Sequence, residues 1–186
     1  MSGKRRPTSE GDSLADLVRE YLGRKGSGPR LDAYLDTFRK CSLAEAIERA
    51  GYVGENVHPH QRRLGRKKLA QAAKALLKKL DVVQKCRSFE ELHELVGSCT
   101  RHIDRFGALA RYDVALRIGA HLGVWPELIY LHAGTAVGCK KLGIPCQGKT
   151  VEPEELPAPI RRLGAYHAEN FLCIYKGGFG CVGRVR

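Results

Sequence analysis

The chain has 186 residues, 43% of them hydrophobic, enough for one domain with a buried core and a polar tail. Lysine and arginine number 32 against 20 acidic residues, and the formal charge of +12 favours a polyanionic partner, of which nucleic acid is the usual one. No apolar run approaches the roughly 18 residues that a membrane span needs, and the N-terminal MSGKRRPTSEGDS lacks the apolar stretch of a secretory signal, so no membrane partner is expected and the location is expected to be cytoplasmic.

Residues 1–12 are polar, with Lys4, Arg5 and Arg6 clustered, and read as a disordered basic tail. From Ser13 the pattern turns helical. Ser13 stands as cap, Asp16 occupies the reciprocal capping position, and Leu14, Leu17, Val18, Tyr21 and Leu22 recur at helical spacing. GRKGSGP at 23–29 is a flexible break. Leu31 to Phe38 supplies another amphipathic turn or two, and Ser42-Leu-Ala-Glu opens a helix through about Ala50 with Gly51 as its stop.

The segment 51–65 carries Gly and Pro punctuation without a clean period and reads as a connection. Within it, His58 and His60 at i,i+2 point oppositely if the chain is extended, which argues against a metal chelate and for a phosphate or base contact. From Arg62 to Lys79 eight basic residues follow with no acid between them. Leu69, Ala73, Leu76, Leu77 and Leu80 mark a buried stripe, with Lys67, Lys74 and Lys78 opposite. Together with Arg62 and Arg63 these lysines form a basic ridge, open to two readings: a solvated helix face or a phosphate-binding surface.

Ser88-Phe-Glu-Glu-Leu is a further cap, starting a helix through about Gly97. The stretch from Ile103 to Gly143 then supplies a short turn at Phe106-Gly107 and a helical pattern bearing Val114, Leu116, Ile118 and Leu122. A Gly-Val-Trp-Pro break follows at 123–126, and a second segment carries Tyr130, His132 and Thr135. Beyond Gly143 a Pro-rich loop leads to a last helix from Arg161 to about Lys176, and 177–186 reads as a Gly-rich basic tail. No segment alternates convincingly at period two, and the predicted class is all-α, with one helical domain over 13–176.

Seven cysteines stand at 41, 86, 99, 139, 146, 173 and 181, with no pair at zinc-site spacing; the nearest are Cys139-x6-Cys146 and Cys173-x7-Cys181. An odd count without such pairs predicts free thiols, mostly buried as small apolar residues, and neither a metal nor a cofactor is expected.

The 103–143 stretch resembles the helix-hairpin-helix core of the DNA glycosylase superfamily, over about 40 residues. In that family an apolar-Pro-Gly-apolar-Gly hairpin sets backbone amides and a helix N-terminus against a DNA phosphate. Here Gly107 keeps the second glycine, whereas Asp104 stands where proline is common and Arg105 where the first glycine belongs. Aligned back from Leu142-Gly143, the family's catalytic aspartate falls on His132 and its lyase lysine near Leu109. Those departures point away from base excision while leaving duplex or flipped-base binding open.

A second resemblance is to phage and bacterial helix-hairpin-helix proteins, related to the glycosylases, that act on modified thymine as transferases or pyrophosphorylases. It rests on Ala110-Arg111-Tyr112-Asp113, on His132-Ala133-Gly134-Thr135-Ala136-Val137-Gly138, and on Glu169-Asn170-Phe171-Leu172-Cys173-Ile174-Tyr175-Lys176.

The expected function is therefore DNA binding, with RNA as the alternative polyanion. Gly107 and the helix after it would hold a phosphate, and Arg105, Arg111, Arg62, Arg63, Lys67, Lys74 and Lys78 would add non-specific attraction. His132, Asp113 and Glu169 are the catalytic candidates should the protein modify a base, with Tyr112 and Thr135 lining the pocket. Structural alternatives stand beside each: His132 or Thr135 as a helix cap, Asp113 paired with Arg117 at i,i+4, Tyr112 as a core ring, Glu169 as a solvated acid. A helical module whose basic face meets an acidic protein is the third functional class.

Overall fold

The structure is a computed structural model that describes residues 13–24 and 28–179. In chain order its helices are α1 (Leu14–Gly23), α2 (Pro29–Arg39), α3 (Leu43–Arg49), α4 (Gly65–Leu77), α5 (Leu80–Lys85), α6 (Phe89–Thr100), α7 (Ala108–Leu122), α8 (Ala133–Lys141), α9 (Ala158–Arg161) and α10 (Ala165–Tyr175). The described residues are thus mostly helical, as the absence of period-two patterning implies. No described helix is long and apolar enough to cross a membrane.

Two antiparallel two-stranded ribbons accompany the helices: β1 (Tyr52–Val53) with β2 (Asn56–Val57), and β3 (Ile129–Tyr130) with β4 (Thr150–Val151). Each strand has two residues, too short for alternation to register in the sequence.

The chain divides into two compact units, Arg30–Glu127 and the flanking segments, up to Pro29 and from Leu128 onward. The 13–176 segment that the sequence suggests is one helical domain is thus shared between two units, and the core of the flanking one reaches past it to Phe179. The inserted unit is organised on α7, which is buried continuously from Tyr112 to Ala120 and packs against α6, α3 and a 3₁₀ turn at Pro59–Gln61. Apolar residues account for most of that buried run, and two ionisable residues, Asp113 and Arg117, lie within it.

In the flanking unit α1 joins elements more than a hundred residues downstream. Leu14, Leu17 and Tyr21 share a core with Ile129, Cys139, Ile160, Phe171, Leu172 and Tyr175. Here α8 lies against α10. A Cβ at Gly138 would stand 2.5 Å from the Leu172 carbonyl oxygen, so glycine is what permits the two backbones to approach.

Local capping explains where the helices begin. Ser13 with Asp16, and Ser42 with Glu45, form reciprocal capping boxes. At Ser88 the hydroxyl accepts from the Glu91 amide at 3.1 Å, but the Glu91 carboxylate turns back to the Arg87 amide at 2.8 Å.

Other boundaries differ from expectation. α2 runs for 11 residues rather than a turn or two, and α6 continues past Gly97 to Thr100. The expected helix from Arg161 is broken at Gly164, whose φ of 79° lies in the left-handed region and ends α9 before α10 begins. On α4 the fully buried positions are Leu69, Ala72 and Leu76, a stripe rotated from the expected one, with Ala73 and Leu77 half-buried at its margin and Leu80, also half-buried, opening α5.

Phe179, expected in the Gly-rich basic tail at 177–186, is 2% exposed and part of the flanking core, its ring meeting Phe171. The tail at 1–12 and residues 180–186, including Cys181, lie outside the described residues. Cys41, Cys86, Cys99, Cys139 and Cys146 are free thiols.

Candidate functional site

Three arrangements in the described residues bear on function: a basic surface and a buried acid in the inserted unit, and a buried histidine in the flanking unit.

The basic surface starts just before α4 and follows it to its C-terminal end. Arg62, Arg63, Lys67, Lys74 and Lys78 are all exposed. The turn at 101–107 between α6 and α7 is tied to this helix. Lys68 Nζ donates to the Asp104 carbonyl at 2.9 Å and pairs with its carboxylate at 2.8 Å.

Within the turn, Arg105 adopts φ 62°, the left-handed conformation that glycine ordinarily supplies, and its side chain is 78% exposed. The Gly107 amide donates to the Arg105 carbonyl at 2.9 Å. It is therefore not the phosphate donor that the hairpin pattern suggests. The amides at the start of α7, on Ala108 and Leu109, precede its first intrahelical bond, from Arg111 to Gly107, and no side chain caps them.

Arg111 is half-buried. Its stem lies under Gly97 of α6, and its Nε is shielded without a hydrogen-bond partner. The Tyr112 ring is 2% exposed and meets Phe89 edge-on at 5.7 Å, so this candidate for base stacking is a core side chain.

Asp113, one turn into α7, is 7% exposed and heavily engaged. Its Oδ2 accepts from Gln61 Nε2 at 2.7 Å, lies 3.2 Å from His60 Nδ1, and faces Arg117 Nη2 at 3.7 Å. Arg117 is itself buried and donates to the Ala50 carbonyl at 2.9 Å and the Tyr34 hydroxyl at 3.1 Å. The i,i+4 pair is thus an internal ion pair rather than a surface one. Burial pushes the Asp113 carboxyl up, but Arg117, the His60 hydrogen bond and the nearby histidines outweigh it and hold the group at about 2.

His58 stacks on Tyr34 and meets the His60 ring edge-on, centroids 4.8 Å apart. Burial first, then the Arg117 charge, brings His58 down to about 3, against the pull of Asp113, so the ring is neutral near pH 7. His58, His60 and Gln61 are the residues that sequence reasoning placed wrongly or missed. Pro59 turns the chain into the 3₁₀ helix at 59–61, with His58 Nδ1 accepting from the His60 amide at 3.3 Å. The two imidazoles are therefore brought side by side instead of being splayed. The His-Pro pair signalled a turn; its pairing with Asp113, 53 residues away, had no local signal.

In the flanking unit His132 caps the backbone of α8 with extended φ and ψ, and its side chain makes no capping bond. It reaches α10 instead, where Nε2 hydrogen-bonds Glu169 Oε1. The Thr135 hydroxyl donates to the same Oε1 at 2.9 Å and lies 2.9 Å from His132 Nε2. All three side chains are buried: His132 holds the N-cap position through its backbone alone, Thr135 lies within α8 rather than capping it, and Glu169 is not a solvated acid. Beside them the Tyr21 hydroxyl meets His167 Nδ1 at 2.8 Å and accepts from Asn170 Nδ2 at 3.1 Å.

Of the residues expected to share a pocket, then, His132, Thr135 and Glu169 are brought together, while Asp113 belongs to the inserted unit and has its own partners. No protein-family model, curated protein or solved structure matches the chain.

Proposed function

We propose that the inserted unit binds nucleic acid, DNA in the first instance, through the α4 ridge and the turn before α7. The observation that carries this reading is the Lys68–Asp104 link, which joins the basic helix to the turn so that cations from both belong to one supported surface. Counterion release from phosphates would supply the affinity. Arg105 and the α7 first-turn amides would receive one phosphate, a role that Gly107 with its engaged amide does not fill. Arg62, Arg63, Lys67, Lys74 and Lys78 would add sequence-independent attraction. Arg111, with its shielded Nε, is left out of this surface.

The test is fluorescence anisotropy of labelled duplex DNA, single-stranded DNA and RNA over a range of salt. The logarithm of affinity should fall linearly with the logarithm of salt, by about 0.9 per neutralised phosphate on duplex. Lys74→Glu with Lys78→Glu should lower that slope by about 2. Binding that ignores salt, or ignores the double charge reversal, would sink the proposal.

A second reading is favoured by the buried His132–Thr135–Glu169 triangle: modification of a base or nucleotide carried on the nucleic acid. Glu169 would orient the imidazole and His132 would move the proton. His132→Ala should then abolish conversion of nucleosides recovered from a treated duplex, read by mass spectrometry, while leaving anisotropy unchanged.

A further inference from the structure

We propose that His58, His60 and Asp113 form a binding site for a divalent first-row transition-metal ion. Among the described residues these three each place a ligand-type atom within 4.8 Å of the others. The 3.2 Å edge between His60 Nδ1 and Asp113 Oδ2 is close to the separation of neighbouring ligands, about 3.3 Å, around a four-coordinate ion with bonds of about 2 Å. The 3₁₀ turn holds the two imidazoles on one side of the loop, and the core helix α7 supplies the carboxylate. The His60 side chain is 47% exposed, which gives an ion a route from solvent and leaves the remaining coordination positions to water.

Two features of the surroundings fit this use. Gln61 is fully buried and orients the carboxylate through Nε2 at 2.7 Å, as an outer-shell residue does, while its Oε1 has no hydrogen-bond partner among the described residues. The carboxylate oxygen that contacts His60 also faces Arg117, so the site offers little spare negative charge. It is therefore weighted toward its imidazoles and should discriminate against magnesium and calcium, which seek several oxygen ligands, in favour of zinc, nickel or cobalt. The long 3.3 Å bond from the His60 amide to His58 Nδ1 is weak enough for an ion to displace.

Cobalt(II) titration of the reduced 186-residue chain tests the site and separates it from the cysteine thiols. One Co²⁺ per chain should bind with visible d–d absorption and no thiolate-to-cobalt charge-transfer band in the near ultraviolet. Excess Mg²⁺ should leave the spectrum unchanged. His58→Ala and His60→Ala should each weaken binding by more than tenfold; the exposed His60 position makes the second the safer variant, with circular dichroism confirming its fold. Absence of d–d absorption, a titration unaltered in both variants, or a spectrum dominated by thiolate charge transfer would each overturn the proposal.

Discussion

His132 and Glu169 stand 37 residues apart and meet in a buried hydrogen bond that joins the start of α8 to α10. The pair is a structural tie between the two helices. Glu169→Ala removes an acceptor shared by His132 Nε2 and Thr135 Oγ1, which lie 2.9 Å from each other and can partly compensate. The expected loss is about 1 to 3 kcal/mol, the usual cost of stripping a buried polar group of a partner. Glu169→Gln, which keeps the acceptor, should lose less. Urea denaturation followed by circular dichroism measures both, and an alanine variant as stable as the parent would show that the tie contributes nothing.

The α8–α10 contact makes a second prediction. Gly138→Ala would place a methyl 2.5 Å from the Leu172 carbonyl oxygen, a backbone atom that cannot swing aside. Separation of the helices should cost about 1 to 3 kcal/mol. The same denaturation assay applies, and an unchanged midpoint would mean that the helices already have room.

Arg105→Gly should move stability and binding in opposite directions. The left-handed φ of 62° costs a side chain about 1 kcal/mol that glycine avoids, so thermal stability should rise slightly. One exposed cation is lost at the same time, and the salt slope of duplex binding should fall by about 1. A variant that gains stability yet keeps the full slope would remove Arg105 from the binding surface while leaving the rest of it intact.

The flanking core should weaken in alkali. Burial first, then Cys146, lifts the Cys139 thiol from 9.0 to about 12. Burial first, then Glu20, opposed by Arg24, lifts the Tyr175 hydroxyl from 10.0 to about 12. Both groups keep their protons longer in the folded chain than in the unfolded one. Their contribution is therefore complete below about pH 9 and declines as pH rises toward 12. Denaturation midpoints measured from neutral pH to about 11 should fall, and Tyr175→Phe should flatten the fall. An equal decline in that variant would assign the effect elsewhere.

What the sequence disclosed follows the range of each interaction. The boxes at Ser13 and Ser42 span three residues, and both are present as read. Exposed Lys67, Lys74 and Lys78 follow from the amphipathic spacing of α4, even though the buried stripe is rotated toward Ala72. The interruption at Gly164 was written in the residue type but hidden within an otherwise helical run. The two ribbons were too short to leave a pattern. The Asp113 environment was illegible for a different reason. Gln61 and His60 reach it from more than fifty residues away, through a turn whose side-chain directions an extended reading reverses. Long-range pairing and local backbone direction had to be known together.

The Tyr21–His167 bond spans 146 positions, and the core around it needs α1 and α10 at once. Synthesis from the N-terminus therefore produces α1 long before its partners, while every residue of the inserted unit emerges in between. Leu14, Leu17 and Tyr21 must wait through that interval with their apolar surface uncovered, and a chaperone that shields such surface would find its ligand there. A ribosome stalled before Ala165 should hold a nascent chain in which the inserted unit resists protease and α1 does not.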